Sequence, residues 1–410
     1  MNGNLVRLAF CFFVLIGAAG ATAPASAQTL ALVGGNVYAS PDAAPLADAV
    51  VIASDGVITA IGSRSAVQIP SDARVIDCTG KTVVAGFWNS HVHFTQEVWK
   101  NAASAPAAAL EGPMRDMLTK WGFTTVWDLG SDPRTSLPLR ARINAGNVAG
   151  PSILLAGNMF PKGGHPIYVP AEVEVPEVAT PDEAATMARN FLGMGHNGIK
   201  LFTGAFMGDK PVVNMDTPVA KAAVDVAHAQ GKPVFAHPQN TAGVETVIGA
   251  GVDVMAHTVP SQRGGYTPEQ LARFKSQGIA LTPTLSLFTT VVLDPAVTAR
   301  IVAATVDQLR QFSENGGAVL FGTDVGFIKI YDTTLEYELM HRALSERQIL
   351  ASLTTNPAQY FKAAKKGRVE KGFDADVVVL DGDPTRRCHQ PRQGRLHHPR
   401  GESDLPEALS

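Results

Sequence analysis

The chain has 410 residues, of which 45% are hydrophobic and 17% charged, with a formal net charge of −3. That length asks for one large barrel or two domains rather than a single small core. The near-neutral charge, and the lack of any matching motif, give no footing for a nucleic-acid partner.

The first 27 residues are expected to be a signal peptide. Arg7 sits in a short n-region, Leu8 to Ile16 form the apolar run, and Ala25-Ser26-Ala27 supplies the small-residue cleavage pattern, with the mature chain starting at Gln28. The apolar run is short for a membrane anchor, and no later segment is long and apolar enough to span a bilayer. The mature protein is therefore expected in the periplasm or the medium, with no membrane partner. Cys11 leaves with the signal, and Cys78 and Cys388 do not make a disulfide framework.

Short alternating strands come next: LALVGGNVYA, AVVIASDGVITAIG and ARVIDCTGKTVVAG, punctuated by Gly, Asp and Pro turns. They predict a small β-sheet or sandwich over 28–84. From about residue 83 the rhythm changes. Eight β-rich apolar runs (VVAGFWNSH, TTVWDLG, SILLAGN, GIKLF, PVFAHP, DVMAHT, ALTPTL and AVLFGTD) alternate with helix-like segments. TPEQLARFKSQG shows the helix signals: Thr267 as N-cap, Pro268 at N1, Glu269 and Gln270 in the first turn, Gly278 to close. Eight strand–helix units predict a closed (β/α)8 TIM-like barrel over 85–362. The β rhythm returns in GRVEKGFDADVVVLDGDP, so 363–385 is expected to complete the N-terminal sheet as the second part of the sandwich. Residues 386–410 do not fit that pattern.

Reactive side chains of such a barrel sit at the C-terminal strand ends. The first run ends in His91 and His93, whose spacing puts both on one face of a strand. The fourth carries Lys200, the fifth ends in His237, the sixth in His257 and the eighth in Asp324. Asp128 ends the second without an assigned role, and the third and seventh offer nothing obviously chemical. Singly, each residue has an ordinary reading: an accidental H-x-H, a satisfied core histidine, a buried ion-pair lysine, a helix-capping Asp. Jointly they place six ligand-type residues at one barrel mouth.

This pattern, together with AGFWNSHVHF, GIKLF, GTD and the late GFDADVVVLD, resembles the amidohydrolase superfamily of metal-dependent hydrolases. The resemblance is greatest to the branch of imidazolonepropionase-related enzymes and Xaa-Pro dipeptidases, and it spans nearly the whole mature chain. It implies two divalent metal ions, most simply Zn2+. His91, His93 and Asp324 would hold one, His237 and His257 the second, and Lys200, N6-carboxylated by CO2, would bridge them. In the alternative, a mononuclear site, Lys200 binds substrate or packs. The resemblance also implies a metal-activated hydroxide, with Asp324 as general base and then acid. MFPKGGHPIYVP (159–170) carries the Gly163-Gly164-His165 of this branch, so His165 is the expected substrate contact or oxyanion donor, and Tyr168 a weaker substrate contact. His196 and His228 read as surface residues.

The implied function is an exported amidohydrolase cleaving an amide or peptide-type C–N bond, with an Xaa-Pro-like dipeptide or a small N-acyl compound as substrate and homo-oligomerisation left open. Its alternatives are a cyclic-amide hydrolase or deaminase, and a non-catalytic metal-binding remnant. The remnant reading draws on the tail, RRCHQPRQGRLHHPR. DVTNLAKVDYTIRG is the kind of ending this family shows there, and one DNA spelling of it, read from its third base, yields CHQPRQGRLHHPR without a break. A frameshift near Arg386–Arg387 is the expectation, and sequencing that stretch of the gene tests it.

Overall fold

Period-two alternation in Leu30–Val37 and Leu46–Ser54 gives each strand two apolar faces. Leu32 and Val51 pack on one side with Val83, Val377 and Val379, while Ala31, Val33, Val50 and Ile52 form a separate cluster. Leu30–Val37 pairs antiparallel with Leu46–Ser54, which pairs with Val57–Ser63. Arg74–Asp77 and Thr82–Ala85 lie parallel to the first strand. Val377–Leu380, from the far end of the chain, pairs antiparallel with Thr82–Ala85, as GFDADVVVLD leads one to expect. The computed structural model describes residues 29–291, 294–386 and the backbone of Arg395–His397, which adds a last strand beside Val377–Leu380. The expected signal peptide and the remainder of the expected frameshifted tail lie outside the described residues.

At Gly86 the chain leaves this sheet. A Cβ there would stand 2.1 Å from Asp376 Oδ1 and 2.2 Å from Thr124 Oγ1, so glycine leaves room for these two side chains. Seven parallel barrel strands follow: Phe87–Val92, Phe123–Asp128, Ser152–Pro161, Gly198–Phe202, Val234–His237, Val254–Ala256 and Ala280–Thr282. Each coincides with one of the apolar runs. The eighth run is not a continuous strand. Residues 318–325 close the ring through isolated bridges, Leu281 to Val319 and Val92 to Val325. The reason is local: Asp324 has φ 59°, and Gly322 lets this segment press against Thr282 and His91, where a Cβ would meet them at 2.3 and 2.9 Å.

The helices cover the ring outside. Thr267 and Gln270 form a reciprocal capping box and Gly278 ends that helix at φ 67°. Inside, Trp88, Trp127, Phe235, Val254, Ala256, Ala280 and Leu320 form one apolar plug, with Phe361 stacked on Trp88 and tilted against Trp127. Among the described residues no helix is long and apolar enough to cross a membrane.

Candidate metal centre

His91 lies within the first barrel strand and His93 just beyond its end, and their Nε2 atoms are 3.2 Å apart. Asp324 Oδ1 stands 2.8 Å from His93 Nε2 and 3.2 Å from His91 Nε2. The ring of His257 lies 4.5 Å from that of His91 and 4.6 Å from that of His237, centroid to centroid. Lys200, 1% exposed, enters from the fourth strand, with Nζ 5.5 Å from the centre of the Phe202 ring. All six residues expected at the mouth are thus brought together.

Burial is the main force on their protonation. It holds His91 and His257 well below the usual imidazole range and His237 down to about 4, with Lys200 adding to each shift when charged. Burial also lowers Lys200 to about 7, against the pull of Asp324. The pocket therefore presents neutral imidazole lone pairs around a carboxylate. Asp324 Oδ1 is buried and receives no hydrogen bond of acceptable geometry, though two imidazole nitrogens face it. One ligand atom each from His91, His93 and Asp324 lies within 4.8 Å of the others. Such a set of hard and borderline donors fits a divalent ion.

A pH prediction follows for the metal-stripped protein. His237 titrates near 6.5 when unfolded and about 4 when folded, so between those values the unfolded chain binds more protons. Stability should fall as pH drops through that window, by about 3 kcal/mol from His237 alone. Thermal melts of chelator-treated protein at neutral and mildly acidic pH check this, and a melting temperature that does not move would contradict it.

Polar side chains without a chemical signature in the sequence hold the candidate ligands in place. Gln239 Oε1 lies 3.0 Å from His237 Nε2 and, as acceptor, leaves Nδ1 with the lone pair. Asn89 ties the first strand to the closing segment: its Nδ2 donates to Thr323 Oγ1 at 2.8 Å, and its Oδ1 accepts from the backbone N–H of His91 and of Thr323. Asp128 accepts from Ser131, whose Oγ in turn accepts from the Phe94 N–H at 2.6 Å, fixing the chain just beyond His93. The seventh strand is not silent either, because Thr284, two residues past its end, is 2.6 Å from His257 Nδ1. Backbone strain gathers here: His257 at φ 95°, Thr284 at 48° and Asp324 at 59° are all left-handed.

His165 is held in its own loop, with Nε2 2.9 Å from the Val173 carbonyl oxygen. Tyr168 leans its ring edge on Phe327, 4.9 Å between centroids, and Phe327 in turn lies 6.5 Å from the His93 ring. Although 42% of Tyr168 is exposed, its phenol is pushed up by burial and then by the Asp324 charge. His196, expected on the surface, is 3% exposed and engages the Phe191 carbonyl, closing the end of helix Pro181–Gly193. His228 is partly exposed beside Asp253, as expected.

Comparison with known proteins gives the family and the fold. The amidohydrolase family profile matches residues 82–404. A solved structure described as a putative prolidase from Bifidobacterium longum is 27% identical, with a TM-score of 0.74 over 88% of this chain and 91% of that one. An Xaa-Pro dipeptidase with methionine in its active site is 22% identical, with a TM-score of 0.76 over 90% and 97%, which shows the shared fold. An uncharacterized protein of Mycobacterium tuberculosis is 40% identical over 67 residues, 16% of this chain and only 17% of that relative. The chain belongs to the amidohydrolase family, and is a hydrolase acting on carbon–nitrogen bonds whose His–His–Asp group could hold a divalent metal.

Proposed function

We propose that the protein is an exported dipeptidase or N-acyl amide hydrolase with two divalent ions, zinc in the simplest case, at the barrel mouth. The carrying observation is Lys200: a lysine fully buried among imidazoles and lowered to about 7 by that burial. A surface lysine stays an ammonium; this one has a substantial neutral fraction near neutrality. Its Nζ can bond to the carbon of CO2 and lose a proton, becoming an anionic carboxylate with two oxygens for a metal pair. His91, His93 and Asp324 would hold one ion, and His237 and His257 the other. Bound ions would supply a water acidic enough to ionise at neutral pH and would polarise the scissile carbonyl. Asp324 would take the proton and return it to the leaving nitrogen. His165 and Tyr168 would contact the substrate from the loop after the third strand.

The prolidase likeness supports an Xaa-Pro-like substrate, and the partly exposed Phe327 ring beside His93, with Tyr168 packed on it, supports an apolar group next to the cleaved bond. A panel of Xaa-Pro dipeptides, N-acyl amino acids, cyclic amides and amino-substituted heterocycles on the zinc-loaded protein tests this. Preferential hydrolysis of the first two classes is expected. Turnover confined to the latter two favours the cyclic-amide or deaminase reading, and full metal with no turnover favours a metal-binding remnant.

The binuclear reading predicts two metals per chain and a carbamate carbon resonance after exchange with labelled bicarbonate. Lys200→Ala should abolish both the resonance and the second metal. One metal per chain with no resonance would sink it. Export predicts that the secreted protein begins at Gln28 on N-terminal sequencing.

A further inference from the structure

His257 Nδ1 is 2.6 Å from Thr284 Oγ1, and that hydroxyl donates to the Pro283 carbonyl oxygen at 2.8 Å. A hydroxyl has one proton, and giving it to the carbonyl leaves the oxygen free to accept from His257. In that arrangement the His257 proton sits on Nδ1 and Nε2 keeps its lone pair. Thr284 achieves this only in a left-handed conformation, φ 48° and ψ 50°, which a β-branched residue reaches at a cost.

Something must hold it there. Glu336, on helix Thr334–His341, is wholly buried, and its two carboxylate oxygens accept from the next two backbone N–H groups, Leu285 at 2.9 Å and Ser286 at 2.7 Å. Burial raises the Glu336 carboxyl, and the Asp324 charge adds to the shift, so keeping an acid under this turn is costly. A glutamine would accept from only one of the two N–H groups and present a donor to the other.

We infer that Glu336 and Thr284 act in series as positioning residues, the carboxylate clamping the turn that holds the Thr284 hydroxyl against His257 and so fixes the imidazole face offered to metal. The inference rests on the reading of His257 as a ligand, and the experiment separates the two.

Zinc affinity is measured by competition with a chromophoric chelator on chelator-stripped protein, alongside the melting temperature of the stripped forms. The variants are H257A, T284V, T284S, E336Q and T284V/E336Q. Expected are a loss of zinc affinity in H257A, a drop of about 10- to 100-fold in T284V, restoration in T284S, and no melting change in T284V that parallels the affinity loss. E336Q should lower affinity in the same direction and add little to T284V, because both act through one contact. Unchanged affinity in H257A would overturn the ligand reading and this inference with it. A loss in H257A with wild-type affinity in T284V overturns the inference alone, as does a fully additive double variant. If E336Q does not fold, T284V against T284S decides.

Discussion

Asp324→Asn is expected to retain bound metal and lose about 10²- to 10⁴-fold in turnover, the span of a missing general acid–base group. Asn keeps a carbonyl oxygen where Oδ1 faces the two imidazoles, so the shape of the ligand set survives. It cannot take or return a proton. Asp324→Ala removes the oxygen as well and should lose metal together with activity. Metal counting and steady-state rates on the two variants separate the roles; wild-type turnover in Asp324→Asn would remove Asp324 from the proton path.

Gly326→Ala should be the most damaging small change near the site. Gly326 sits at φ +101°, and a Cβ there would stand 1.7 Å from the His93 carbonyl oxygen and 2.6 Å from its carbon. Both obstacles are backbone, so nothing can rotate away, and relief requires moving either the Asp324 turn or the His93 strand end. A destabilisation of about 2–5 kcal/mol is expected from overpacking plus left-handed strain, with loss of zinc binding. Gly163→Ala is the control. It has φ +75° and open space around its Cβ, so it carries the strain without the collision. It should cost about 1 kcal/mol and leave zinc binding intact. Equal damage from both would mean that conformation, rather than the His93 collision, dominates.

The candidate site was legible in the sequence because ionisable residues are rare at the ends of apolar strands, and six of them sharing one mouth could be read without coordinates. Seven barrel strands fall on apolar runs for the same reason. The eighth run looks like a strand but is bent by the left-handed Asp324, and no propensity announces that. Thr284 lies in the ALTPTL run, which offered nothing obviously chemical, because a hydroxyl's importance depends on a histidine distant in sequence. Glu336 sits in the first turn of its helix, where an acid usually faces solvent and favours the dipole. Only packing shows that it points inward. His196 read as a surface residue, yet it is buried and closes a helix end inside the protein.

Thr82–Ala85, immediately before the metal-binding strand, takes Val377–Leu380 as its antiparallel neighbour. During synthesis that neighbour emerges only after every barrel strand has left the ribosome. Until then the N-terminal sheet carries an open hydrogen-bonding edge of buried-type residues, Thr-Val-Val-Ala, available to any other nascent strand. The barrel can gather its ligands early, but the edge beside them is sealed last. Aggregation on expression should therefore respond more strongly to changes in Val377–Leu380 than to equally buried changes within the barrel helices.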